Sequence, residues 1–174
     1  MKIILPLLFV ILTTKLSAQA INDSDFSAGP IACGAYISEC LQFLHTPKSV
    51  ETDDEPQTGG KVHLDGRDTV IPPNKYSIYQ FDSLEIKTRG AGLIDCITFS
   101  ARTFKTPRGI RVGDSMEKVI SKYGKPSEDG QCADETDPEE QVIQYCSDNG
   151  AEGIVFFCRK GRVSRISMGL CVHP

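Results

Sequence analysis

Part of this chain is written twice, and that repetition constrains its fold more than any other feature. A shift of 79 positions carries the segment IACGAYISECLQFLHTP, residues 31–47, onto IRVGDSMEKVISKYGKP, residues 110–126, without a gap. Ile31 falls on Ile110, Gly34 on Gly113 and Pro47 on Pro126. Between them Ile37, Cys40, Leu41 and Leu44 fall on Met116, Val119, Ile120 and Tyr123. That spacing of i, i+3, i+4, i+7 is the apolar stripe of a short amphipathic helix. In the second copy Asp114 followed by Glu117 resembles a capping box. Gly124 suits a helix-ending position, and Pro126 stops continuation. The first copy is the poorer helix: Ala35 offers no capping oxygen, and His45 stands where the glycine should be. A cation there would meet the helix C-terminal dipole favourably.

A second matched block follows at a shift of 69, where GLIDCITF, residues 92–99, parallels GRVSRISM, residues 161–168. Each is a glycine turn feeding a β-branched run, the pattern of the second strand of a hairpin. First strands are expected over residues 76–87 and 153–159, with a further strand over 142–146. The difference between the shifts places ten extra residues in the first copy, near the acidic stretch ETDDEPQTGG at 51–60. The second copy has its own acidic loop at 127–140, and neither follows a calcium-loop pattern. The expected fold is α+β: two tandem modules, each a helix followed by an antiparallel meander, with both helices on one face of the sheet. Module 1 would run over residues 21–100 and module 2 over 101–174.

Residues 1–20 read as a removable export signal. Lys2 gives a positive start, IILPLLFVIL is apolar but too short to span a bilayer, and Ala18-Gln19-Ala20 is a small-x-small cleavage site. No later stretch is apolar enough for a transmembrane segment. The first cysteine is Cys33, away from the cleavage site, which disfavours a lipid anchor. The reading is a periplasmic or secreted protein. Lys2 and Lys15 are the signal's only charged residues, so of 19 basic and 23 acidic residues 17 and 23 remain, a formal charge of −6. That balance argues against nucleic acid as partner, since such binding needs clustered positive charge.

All seven cysteines lie beyond the signal: Cys33, Cys40, Cys96, Cys132, Cys146, Cys158 and Cys171. Export brings oxidising conditions and hence disulfides. An odd count leaves at least one thiol unpaired, or pairing two chains into a dimer. No C-x-x-C occurs, which weakens zinc and thioredoxin-like readings.

The motif at 109–126, GIRVGDSMEKVISKYGKP, resembles the helix motif of the BamE/SmpA-like superfamily. Two copies in an exported chain are similar in layout to the β-lactamase inhibitory protein family. The resemblance implies a tandem of small helix-and-sheet modules with a protein-binding role. It also implies a disulfide between a cysteine just after the helix and one on the following strand, here Cys132 and Cys146. The first copy departs from this pattern, because Cys33, Cys40 and Cys96 are placed differently.

Nothing in the sequence assembles an enzyme. His45, His63 and His173 are the only histidines, and no hydrolase, zinc-protease or phosphate-loop motif occurs. No catalytic residue, metal or cofactor is assigned. A thiol enzyme using the odd cysteine is the competing chemical reading. Binding is favoured, because aromatics with neighbouring arginines make good interface anchors. Tyr79 and Phe81 would lie opposite Tyr76 and Ile78 on one strand, with Phe156 on another. Arg89, Arg162 and Arg165 lie near them in sequence. These six are the candidate protein-binding residues. The expected function is that of an inhibitor or immunity protein, its partner another exported protein, an enzyme or toxin. The alternative is a structural factor in envelope assembly. N-terminal sequencing of the exported protein should begin at Ile21; an intact leader on the exported form would overturn the signal assignment.

Overall fold

Short runs of alternating apolar residues make strand the main regular structure of this protein. The structure is a computed structural model that describes residues 20–54, 60–64, 67–71, 75–127, 139–147 and 151–170. In chain order the elements are β1 (Ser27–Ala28), β2 (Ile31–Ala32), α1 (Ile37–Cys40), β3 (Ser49–Asp54), β4 (Gly60–Leu64), β5 (Arg67–Ile71), β6 (Lys75–Gln80), β7 (Leu84–Arg89), β8 (Leu93–Phe99), α2 (Met116–Tyr123), β9 (Gln141–Cys146), β10 (Glu152–Arg159) and β11 (Arg162–Leu170). Seven strands form one antiparallel sheet in the order β3-β6-β7-β8-β11-β10-β9. β1–β2 and β4–β5 are separate two-stranded ribbons.

This corrects the expected α+β fold of two helix-plus-meander modules. The protein is mostly β, one sheet runs through both halves, and the helices are four and eight residues long. The physical reason lies in the helix segments. Tyr36 at the start of α1 makes no side-chain cap, and after Cys40 the backbone tightens into a 3₁₀ turn over Leu41–Phe43. Of the first copy's stripe only Ile37 and Cys40 are buried, while Leu41 is exposed. So short a helix gains little from its own hydrogen bonds and depends on tertiary packing. His45 lies beyond both turns, so no helix end meets it. α2 reaches eight residues because Ser115 caps it, its Oγ accepting from the Lys118 amide at 3.3 Å. Asp114, expected as the cap, instead accepts from the Arg111 amide and from Lys118 Nζ, both at 2.8 Å.

Two further strand readings change. Residues 76–87 are two strands, β6 and β7, separated by a turn in which the Phe81 amide donates to the Leu84 carbonyl at 2.8 Å. The acidic stretch begins as strand β3, which pairs with β6 at the sheet edge.

What the two copies do share is local. Gly34 donates to Ile94 O, Ile94 to Ala35 O and Ile37 to Gly92 O. The shifts of 79 and 69 carry these onto Gly113 to Val163 O, Val163 to Asp114 O and Met116 to Gly161 O, all of which are present. The bridge Tyr36–Leu93 maps onto Ser115–Arg162 in the same way. Even the register breaks correspond: Asp95 is the extra residue in β8 opposite β7, and Ser164 the extra residue in β11 opposite β10.

The core lies on one face of the sheet. Leu84 and Ile86 of β7, Ile97 and Phe99 of β8, Ile154 and Phe156 of β10, and Ile166 and Met168 of β11 are buried there, with Val119 and Tyr123 of α2 against them. Tyr123, Tyr145 and Phe156 pack ring to ring, with centroids 5.1–6.1 Å apart. Each such pair adds about 1 kcal/mol beyond area burial. The N-terminal segment is tied in by a buried ion pair. Arg108 Nε donates to Asp25 Oδ1 at 2.7 Å and NH2 to Oδ2 at 2.6 Å, with the guanidinium 4.6 Å from the Tyr123 ring centre.

Asp25→Ala should lower stability by about 3 kcal/mol, because it removes the only carboxylate shown paired with the largely buried Arg108 guanidinium. Replacing both residues by apolar ones of similar size should cost much less. Urea unfolding of the single and double variants checks this.

Candidate functional site

The face of the sheet away from the core carries a row that crosses all seven strands. Ser49, Gln80, Glu85, Thr98, Ser167, Val155 and Gln144 stand in register, each opposite the next. Side chains in one row of a sheet touch their neighbours, so the row acts as a unit. Gln80 Nε2 donates to Glu85 Oε2 at 2.6 Å, and the Thr98 and Ser167 hydroxyls are 2.9 Å apart. Val155 and Gln144 are buried, whereas Gln80, Glu85 and Thr98 remain partly open to solvent.

The open end of this row forms a groove of about 200 Å³ beside the β6–β7 turn. Gln80, Phe81, Asp82, Glu85, Thr98, Phe99 and Arg165 are among the residues that border it. Lys48 pairs with Asp82 and holds that carboxyl below the usual range, chiefly by its hydrogen bond. The Arg165 guanidinium sits 3.8 Å from the Phe157 ring centre, with NH2 3.5 Å from Glu140 Oε2. Glu140 also accepts from Arg159 Nε at 3.1 Å and Ser164 Oγ at 3.3 Å. The groove therefore combines hydroxyls with charges of both signs, a mixture suited to gripping a polypeptide side chain. Phe81 reaches its edge while packing partly buried against the core.

Of the six candidate binding residues, the fold brings Phe81 and Arg165 together at this groove. Arg89 lies elsewhere, its Nε 3.3 Å from Asp95 Oδ2. Arg162 is exposed at the β10–β11 turn and donates to the Gly113 carbonyl at 3.0 Å. Tyr79 stands opposite Ile86 and packs against the core. Phe156 is fully buried, which removes it as a direct interface residue. Tyr76, on the opposite face from Tyr79, lies 4.4 Å beneath Lys87 Nζ. Glu85, Gln80 and Thr98 were missed. The alternation of LEIKTR in β7 points Glu85 outward, but its neighbours depend on register across strands.

Cys132, His173 and Cys171 lie outside the described residues, so the expected Cys132–Cys146 bond does too. Cys33, Cys40, Cys96 and Cys158 are thiols. Burial raises all four, Cys158 to about 11. An attacking cysteine needs the opposite shift. Among the described residues no three His, Cys, Asp or Glu side chains are placed to hold a metal ion, and no helix is long and apolar enough to cross a membrane. Comparison with protein-family models, curated proteins and solved structures gave no match.

Asp95 occupies the β8 bulge with its side chain only 2% exposed, and Oδ2 receives no hydrogen bond among the described residues. Burial raises its pKa above 3.8, more than Arg89 and Lys87 lower it. A carboxyl raised by folding destabilises the fold when ionised, and the cost disappears as acid protonates it. Asp95→Asn should therefore be more stable than the parent at neutral pH. The gain should shrink as pH falls through the raised pKa and vanish below the ordinary carboxylate range. Thermal melts of both proteins across that range test this; a gain that grows on acidification would refute it.

Proposed function

We propose that this is an exported protein-binding module, an inhibitor or immunity protein that occludes an enzyme or toxin of the envelope or the secreted fraction. The observation that carries this reading is the groove on the sheet face away from the core, where Gln80, Glu85, Thr98 and Arg165 converge. Hydrogen-bonded strands on both sides hold it, so little ordering is lost on association. Its action would be steric, with no turnover of its own. Glu85→Lys and Arg165→Ala should each weaken a complex with an exported partner at least ten-fold while leaving the far-ultraviolet circular dichroism unchanged. Affinity capture from envelope and culture fractions, followed by titration of the captured protein, measures this. Full affinity in both variants would remove the groove from the reading.

A structural role in envelope assembly is the second reading. It is favoured by apolar side chains exposed around α1, Tyr36 at 48%, Leu41 at 37% and Phe43 at 62%. Fractionation separates the two: a membrane-associated mature form favours assembly, a freely soluble one favours occlusion.

A further inference from the structure

We infer that the groove beside the β6–β7 turn is a socket for one basic side chain, lysine or arginine, presented by the partner. This rests on the occlusion reading and adds to it the chemistry of the contact. The argument is one of charge left over. Two carboxylates and one guanidinium border the groove. Asp82 already has Lys48. Arg165 is engaged outside the groove by the Phe157 ring and by Glu140, whose other oxygen takes Arg159 and Ser164. Glu85 alone is held by a neutral group, the Gln80 amide at 2.6 Å. That bond fixes one carboxylate oxygen, Oε2, and leaves Oε1 for a further donor.

The surroundings suit a guanidinium or ammonium group better than any other occupant. The Thr98 hydroxyl, next to Glu85 in the row, adds an acceptor. The volume of about 200 Å³ admits a single long side chain and not a folded segment. Fixed by its neighbours and partly withdrawn from water, Glu85 would interact with an entering cation more strongly than a mobile surface carboxylate does. An anionic ligand would have to draw Arg165 away from Glu140 while facing Glu85, two costs at once.

The test is a heteronuclear NMR titration of the folded protein with Nα-acetyl-arginine amide, its neutral citrulline counterpart and Nα-acetyl-glutamate amide. The arginine compound should give saturable shifts confined to the amides of residues 80–85 and 98–100. The citrulline and glutamate compounds should leave them in place. Glu85→Gln should weaken the arginine response at least ten-fold. The wild-type contrast between arginine and citrulline needs no variant, so it stands even where Glu85→Gln disturbs the fold. Absence of an arginine response, or a response to glutamate instead, overturns the socket. A saturable arginine response with no exported partner on capture keeps the socket and removes the occlusion reading. A captured partner that tolerates replacement of every interface lysine and arginine does the reverse.

Discussion

The pairing of β8 with β11 joins the two halves, and it depends on a glycine. Cys96 stands opposite Gly169, which adopts a φ of +126°. A Cβ there would lie 2.0 Å from the Asp95 carbonyl oxygen, far inside van der Waals contact. Neither the backbone angle nor the space admits another residue. Because the strands approach so closely, the four register pairs from Ile166–Phe99 to Gly169–Cys96 can form. Those pairs make one sheet of seven strands, and the row of side chains that ends in the groove crosses that seam between Thr98 and Ser167.

Charge is handled in three different ways around this frame. Asp25 and Arg108 are buried together and satisfy each other with two hydrogen bonds, so the desolvation of both is offset by short contacts. Asp95 is buried beside Arg89 without a hydrogen bond to Oδ2, and its ionised form is disfavoured. Glu85 is partly open and is steadied only by a neutral amide. The first arrangement anchors the N-terminal segment to the loop before α2 and, through the Tyr123 ring, to the helix. The second leaves a buried carboxylate oxygen unsatisfied at the β8 bulge. The third is the kind of unspent charge that a binding surface uses.

Much of the local structure was legible from the residues. The glycines and β-branched runs at 92–99 and 161–168 marked β8 and β11, and the matched shifts of 79 and 69 anticipated equivalent hydrogen bonds at Gly34 and Gly113. The helix stripe misled, because apolar residues at Leu41 and Leu44 match a helical period while the uncapped segment cannot sustain one. The turn at Asp82 and Ser83 was hidden inside a run of strand-forming residues, so β6 and β7 read as one. The site was legible in two residues. Phe81 and Arg165 carried the signature of an aromatic and a cation suited to binding, but 84 positions separate them in sequence and only register brings them to one groove.

Sequence alone determined the doubled glycine-to-strand junction and the acidic balance, because each depends on residue type and short-range spacing. The tertiary structure decided that the halves share a single sheet and which outward side chains meet. Those outcomes depend on pairing between strands far apart in the chain, where the side-chain period of two makes a one-residue change of register exchange the faces. Glu85 became the unneutralised carboxylate of a groove only because β6, β7, β8 and β11 set Gln80, Thr98 and Arg165 around it.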